Sequence, residues 1–230
     1  MMRTSLYLLT ILLLATACRE PQPTDSDDDA TAPLPVVNTE PPATVPAAPP
    51  PPDYDTTQWL ELIALDSTIR LDIRYATDSN FVGQVLYPCA RCFLRPVVAR
   101  ALTDAHQELR VRGLGLKLFD CYRPRDVQWK LWEIVSDPGY VADPRTGSIH
   151  NRGGAVDLTI VTADGEELDM GTGFDFFGPR AHHTFTDLPD TILANRRLLK
   201  DLMVRHGFAP IRSEWWHYNY QDRSYELADA

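Results

Sequence analysis

His150 and Asp157 stand seven positions apart across the pair Gly153-Gly154, in the stretch Ser148-Ile149-His150-Asn151-Arg152-Gly153-Gly154-Ala155-Val156-Asp157. An imidazole and a carboxylate that converge can hold a divalent cation once one more ligand arrives from elsewhere. His217, in Glu214-Trp215-Trp216-His217, is the candidate. Two neutral imidazoles and one carboxylate suit Zn²⁺ in tetrahedral geometry, with bonds of about 2.0–2.2 Å and a fourth position open to water. One carboxylate leaves the ion a net positive charge, enough to bring the pKa of such a water from near 16 toward about 7. Glu214 lies three residues before His217, close enough in a turn to reach that water without ligating the metal, and is the expected general base. Arg123 precedes Pro124 and is the expected stabiliser of an oxyanion, because its planar guanidinium keeps its charge.

These residues need elements to aim them. Ala155, Asp157 and Thr159 alternate with Val156, Leu158 and Ile160, the period of a strand that turns Asp157 away from the more apolar layer. The glycine pair before it permits a tight or left-handed turn. Leu114, Leu116 and Leu118 give a second strand, ending at Asp120-Cys121-Tyr122-Arg123-Pro124, so Arg123 falls at a strand-to-helix junction. The helix that follows is expected to run to about Val135. Another is expected from Pro96, with Val97, Val98, Ala101, Leu102, Ala105 and Leu109 as its apolar stripe, His106 on its solvated face and Gly113 past its end. Ile69 to Tyr75 alternates as a half-buried strand, 168–179 reads as an ordered loop, and a last helix opens near Asp190 and closes at His206-Gly207. His182-His183 is expected in an exposed loop, its adjacent side chains diverging too far to ligate one ion. Trp215 and Trp216 are expected to pack. Helices and strands mixed without a βαβ repeat point to an α+β fold, a small largely antiparallel sheet with flanking helices.

The rest of the chain frames that domain. Arg3, the apolar run Leu8 to Leu14 and the small residues before Cys18 read as a signal peptide over 1–17, with Cys18 a lipidation candidate. Residues 18–57 are rich in Pro, Ala and Thr and carry the acidic run Asp25 to Asp29, the composition of a disordered tether. Residues 58–230 suffice for one domain with a core. The expected location is outside the cytoplasm, periplasmic or at the cell envelope, with a lipid anchor to a bacterial membrane. A net charge of −10 argues against nucleic acid as a partner, and no protein partner is implied. Cys89, Cys92 and Cys121 imply one disulfide and one thiol in an exported protein, with the pairing open.

Four segments in this order resemble the VanX-type D-alanyl-D-alanine dipeptidases, zinc enzymes of a wider group that includes D-Ala-D-Ala carboxypeptidases and Hedgehog-like domains. They are Tyr122-Arg123-Pro124, Ser148-x-His150-x(3)-Gly154-Ala155-x-Asp157, Leu168-Asp169-Met170-Gly171-Thr172-Gly173-Phe174-Asp175 and Ser213-Glu214-Trp215-Trp216-His217. The resemblance spans about Leu62 to Tyr220. It implies one Zn²⁺ on His150, Asp157 and His217, with Glu214 as base and Arg123 as transition-state stabiliser. It further implies that Ser148 contacts the carboxylate of a dipeptide substrate and Asp175 its amine. Two rivals remain from the same residues: a D,D- or L,D-carboxypeptidase on peptidoglycan stem peptides, and a catalytically silent zinc-stabilised binding module. Glu214 argues against silence, since a structural metal needs no base beside it.

Overall fold

The computed structural model describes residues 53–221 and 225–228. The signal-peptide and lipidation readings, and all of the tether but its last residues, lie outside them. In chain order the elements are β1 (Leu60–Glu61), α1 (Leu62–Leu65), β2 (Arg70–Leu71), β3 (Phe93–Leu94), α2 (Pro96–Arg110), β4 (Leu114–Asp120), α3 (Arg125–Ile134), β5 (Ala155–Thr162), α4 (Asp190–Arg205), β6 (Phe208–Pro210) and β7 (His217–Tyr220). Strands β2-β4-β5-β7-β6 form one five-stranded sheet, antiparallel except for the β2–β4 pair, and β1 pairs with β3 in a separate ribbon. This is the expected α+β architecture.

Strand β5 is the spine. Seven successive residues, Ala155 to Val161, are buried, because β4 and β7 flank the strand and side chains cover both of its faces. Helix α2 starts with Pro96 at its first turn and buries Val98, Leu102, Ala105 and Leu109 along one stripe. Gly113, at φ 71°, supplies the left-handed step that returns the chain into β4. Helix α4 buries Ile192, Leu199, Leu202 and Met203 as its periodicity requires. The hairpin turn at Thr162–Gly165 closes through Gly165 N–H to the Thr162 carbonyl.

Two expectations change. The alternation from Ile69 to Tyr75 yields only a two-residue strand, followed by a 3₁₀ turn at Arg74–Ala76. Its last ladder bond is Asp72 N–H to the Leu118 carbonyl; the chain then turns, with Ala76 N–H bonding the Ile73 carbonyl and Thr77 N–H the Arg74 carbonyl in place of β4. Ile69, Ile73 and Tyr75 are nonetheless buried. His106 is not on a solvated face: it is 1% exposed, its Nδ1 accepting Leu116 N–H and its Nε2 meeting Thr68 Oγ1 at 2.9 Å. Gly115 makes the room, since a Cβ there would come within 3.1 Å of the imidazole.

Candidate metal centre and active site

Register across the sheet assembles the site. Asp120 pairs with Asp157, and Asp157 with His217, so the three lie on one rung of β4, β5 and β7 and share one face of the sheet. His150 comes from a single 3₁₀ turn, His150–Arg152, which ends at Gly153 in the left-handed conformation (φ 68°) and passes through Gly154 into β5.

The donor atoms are selected by hydrogen bonds on the far side of each ring. His150 Nδ1 lies 2.7 Å from the Cys121 carbonyl, which can only accept, so Nδ1 carries the proton and Nε2 presents its lone pair inward. His217 Nε2 lies 2.9 Å from Asn219 Oδ1, which leaves Nδ1 as the inward lone pair. The two inward nitrogens are 3.1 Å apart, and Asp157 approaches them at 2.9 Å (Oδ1 to His217) and 3.3 Å (Oδ2 to His150). Two lone pairs and a carboxylate brought this close repel unless a cation lies among them, so the set fits a metal ion. Ligand atoms around a tetrahedral ion with bonds of about 2.0–2.2 Å are about 3.3–3.6 Å apart, near the spacing seen here. His150, Asp157 and His217 form the one such cluster among the described residues. Burial opposes the charge of Asp157, but the imidazoles of His150 and His217 outweigh it and hold the carboxyl well below the usual range. Burial also pushes the His150 imidazole down, and the Asp157 carboxylate more than reverses this.

Glu214, Arg123, Ser148 and Asp175 all line the same cavity, of about 270 Å³, into which the triad faces. Glu214 Oε2 is 3.9 Å from His217 Nδ1, and burial raises the Glu214 carboxyl to about 7. Arg123 is buried with Nη2 3.7 Å from Asp157 Oδ2. Asp120 Oδ2 holds it at Nε (2.9 Å) and Nη2 (2.7 Å), Gln128 Oε1 at Nη1 (2.9 Å), and Tyr75 lies beneath, 5.2 Å from Cζ to ring centre. Asp175 takes a left-handed backbone (φ 58°) and accepts from Tyr75 OH at 3.0 Å. Burial, then the nearby charge of Asp157, raises its carboxyl to about 8. Ser148 Oγ accepts His150 N–H at 3.2 Å and is nearly buried.

The peptidase M15 family model, described as D-Ala-D-Ala dipeptidase, matches residues 55–229. The chain belongs to this family. A D-alanyl-D-alanine dipeptidase of Escherichia coli is 38% identical over 174 residues, 75% of this chain and 90% of the relative. One from Enterococcus faecalis is 35% identical, covering 68% of this chain and 88% of its own length, and one from Streptomyces coelicolor is 35% identical, covering 69% and 89%.

Within this dipeptidase-family domain all seven sequence-selected residues meet at one cavity. Four that sequence reasoning passed over hold them there. Asp120 also accepts from Tyr87 OH (2.7 Å) and Cys121 N–H (2.9 Å), and Asn219 orients His217. Asn151 joins the loop segments by donating to the Arg123 carbonyl (2.8 Å) and accepting Ser148 N–H (2.6 Å), and Gln128 donates to the Ala142 carbonyl (2.7 Å). Asp120 and Asn219 carry a readable signal, each standing two or three positions from a residue of the site. Trp215 and Trp216 pack in the core as expected, with Trp215 Nε1–H donating to Thr172 Oγ1. His182 and His183 stay out of the site, but both are half-buried instead of exposed: Arg196 Nη1 donates to the His182 carbonyl at 3.2 Å, and His183 sits against the Tyr218 ring, 6.1 Å between centres. Cys92 and Cys121 form the disulfide and Cys89 is the free, exposed thiol.

Proposed function

We propose that this protein is a zinc-dependent D-alanyl-D-alanine dipeptidase, binding one ion per chain on His150 Nε2, Asp157 and His217 Nδ1. The observation that carries it is the convergence of that donor set in one cavity with a carboxylate, Glu214, outside the set and a held guanidinium, Arg123, beside it. Bound there, zinc supplies Lewis-acid polarisation of the scissile carbonyl and a water acidic enough to attack near neutrality. Glu214 takes the proton of the attacking water and returns it to the departing amine as the C–N bond breaks, giving two molecules of D-alanine. Arg123 meets the charge that grows on the carbonyl oxygen, and Asp120, Gln128 and Tyr75 keep it from turning away. Asp175 receives the substrate ammonium and Ser148 its carboxylate, so both charged ends of a free dipeptide are read in one cavity.

Hydrolysis of D-Ala-D-Ala, compared with its N-acetylated form, tests the assignment: turnover falls sharply when the amine is blocked. Equal rates would point to a carboxypeptidase. Glu214→Gln keeps one zinc per chain by atomic absorption and loses hydrolysis; loss of the zinc as well would make Glu214 a ligand instead.

The proposed setting is the cell envelope, with Cys18 carrying the lipid. The apolar run before it supports this, as does a disulfide, a bond that persists in oxidising compartments. Palmitate labelling of the expressed chain is expected to disappear in Cys18→Ala.

A further inference from the structure

The disulfide does not lie at a distance from the chemistry. Cys121 is the residue after the last rung of β4, where the register has broken and pairing with β5 ends at Asp120. Its carbonyl is therefore outside the ladder, yet it is the acceptor that fixes the tautomer of His150, at 2.7 Å from Nδ1. Three ties set its direction: the bond to Cys92, Tyr122 N–H donating to the Phe93 carbonyl at 3.0 Å, and Cys121 N–H donating to Asp120 Oδ1 at 2.9 Å. Cys92 is anchored in turn, since its carbonyl accepts Leu62 N–H at 2.9 Å and the β1–β3 ribbon follows it directly. Both half-cystines are buried, at 0% and 2% exposure, and exposed Cys89 takes no part.

We propose that the Cys92–Cys121 disulfide is a positioning element of the metal centre, holding the Cys121 carbonyl against His150 so that Nε2 stays aimed at the ion. This rests on reading His150, Asp157 and His217 as the ligands. Losing the bond lets the Cys121 segment relax, weakening the orienting contact while the sheet and helices stay in place. Partners that orient metal-bound imidazoles typically alter metal affinity by roughly ten- to a hundredfold when removed.

The test uses the full chain in a Cys89→Ala background, which excludes rearrangement to a Cys89–Cys92 pair. Zinc affinity is measured by competition with a chelating dye, with far-UV circular dichroism and thermal unfolding in parallel. Cys92→Ala/Cys121→Ala is expected to remain folded and to bind zinc roughly ten- to a hundredfold more weakly than its parent. A trialkylphosphine gives a second route: each sulfur gains an electron and a proton as the S–S bond breaks, and phosphorus is oxidised to the phosphine oxide with oxygen from water. It is expected to weaken zinc binding in the parent by the same factor and to leave the alanine pair unchanged. Zinc affinity within about twofold of the parent in folded samples, with only the unfolding temperature lowered, overturns the proposal. So does loss of fold by both routes, because the bond then carries the whole domain and not the site. If the parent itself binds no zinc, or binds it equally well after His150→Ala, the ligand assignment has failed instead.

Discussion

Removing the carboxylate of Asp120 should disable Arg123 without touching it. Asp120 is fully buried and accepts four hydrogen bonds of 2.7–2.9 Å, from Tyr87 OH, Cys121 N–H and two nitrogens of Arg123. Asp120→Ala leaves a buried guanidinium without its nearest counter-charge, a change that costs about 3–5 kcal/mol. Asp157 still faces Arg123 at 3.7 Å, which favours the lower half of that range. The stranded donors of Tyr87 and Cys121, each worth about 1–3 kcal/mol when left unmade, pull it back up. A guanidinium no longer held is also no longer preorganised for the oxyanion, so kcat should fall roughly 10²–10³-fold, as for loss of one oxyanion donor. Urea unfolding of the zinc-loaded protein and steady-state hydrolysis of D-Ala-D-Ala measure the two effects. Asp120→Asn removes the charge with little change of shape and is expected to fold more readily while showing the same defect in kcat. In a double-mutant cycle, Asp120→Ala with Arg123→Ala should lose less activity than the sum of the single changes, because both act through one group. A folded Asp120 variant with kcat within about threefold of wild type would refute the positioning argument.

The His183 imidazole is pushed down to about 4, first by burial and then by the charges of Lys200 and Arg196. Its folded-state pKa is therefore below the ordinary value of about 6.5, and the stability tied to the neutral ring is complete above that pH and lost as pH falls toward about 4. The loss is on the order of 1–3 kcal/mol, and a His183→Phe variant should flatten that part of a stability-against-pH curve; an unchanged curve would show that His183 is not its source. Gly153→Ala forces a side chain onto φ 68° and brings a Cβ within 2.4 Å of the Trp59 ring, so it should lower stability by about 1–3 kcal/mol or more and loosen the turn that carries His150. An unfolding midpoint equal to wild type would mean that the turn tolerates the change.

Much of this site was legible because chemistry and short spacing travel together. His150 and Asp157 are joined by one turn and the start of one strand, and Glu214 and His217 by one irregular turn, so chain connectivity alone brings each pair close. Helix α2 was readable from Pro96 to Gly113 because burial periodicity and end signals agree over four turns. His106 was misplaced by the same reasoning, since a helical wheel does not know that β4 will cover that face with a glycine and offer it the Leu116 N–H. The strand from Ile69 was overextended because alternation measures burial, while pairing needs an extended backbone, and the chain turns at Arg74–Ala76 while keeping Ile73 and Tyr75 buried.

Read alone, the amino-acid order picked out the groups that meet at the cavity, the imidazoles of His150 and His217, the carboxylates of Asp157 and Glu214 and the guanidinium of Arg123, and the α+β frame that carries them. Which atom of each group faces inward was decided only by tertiary structure. His150 presents Nε2 because the Cys121 carbonyl, 29 residues away, accepts the hydrogen bond of Nδ1–H, and Arg123 is held because the rung Asp120–Asp157–His217 aligns three strands distant in sequence. A hydrogen bond fixes a tautomer only where two segments meet, and that meeting is set by strand register and a disulfide that no local spacing records.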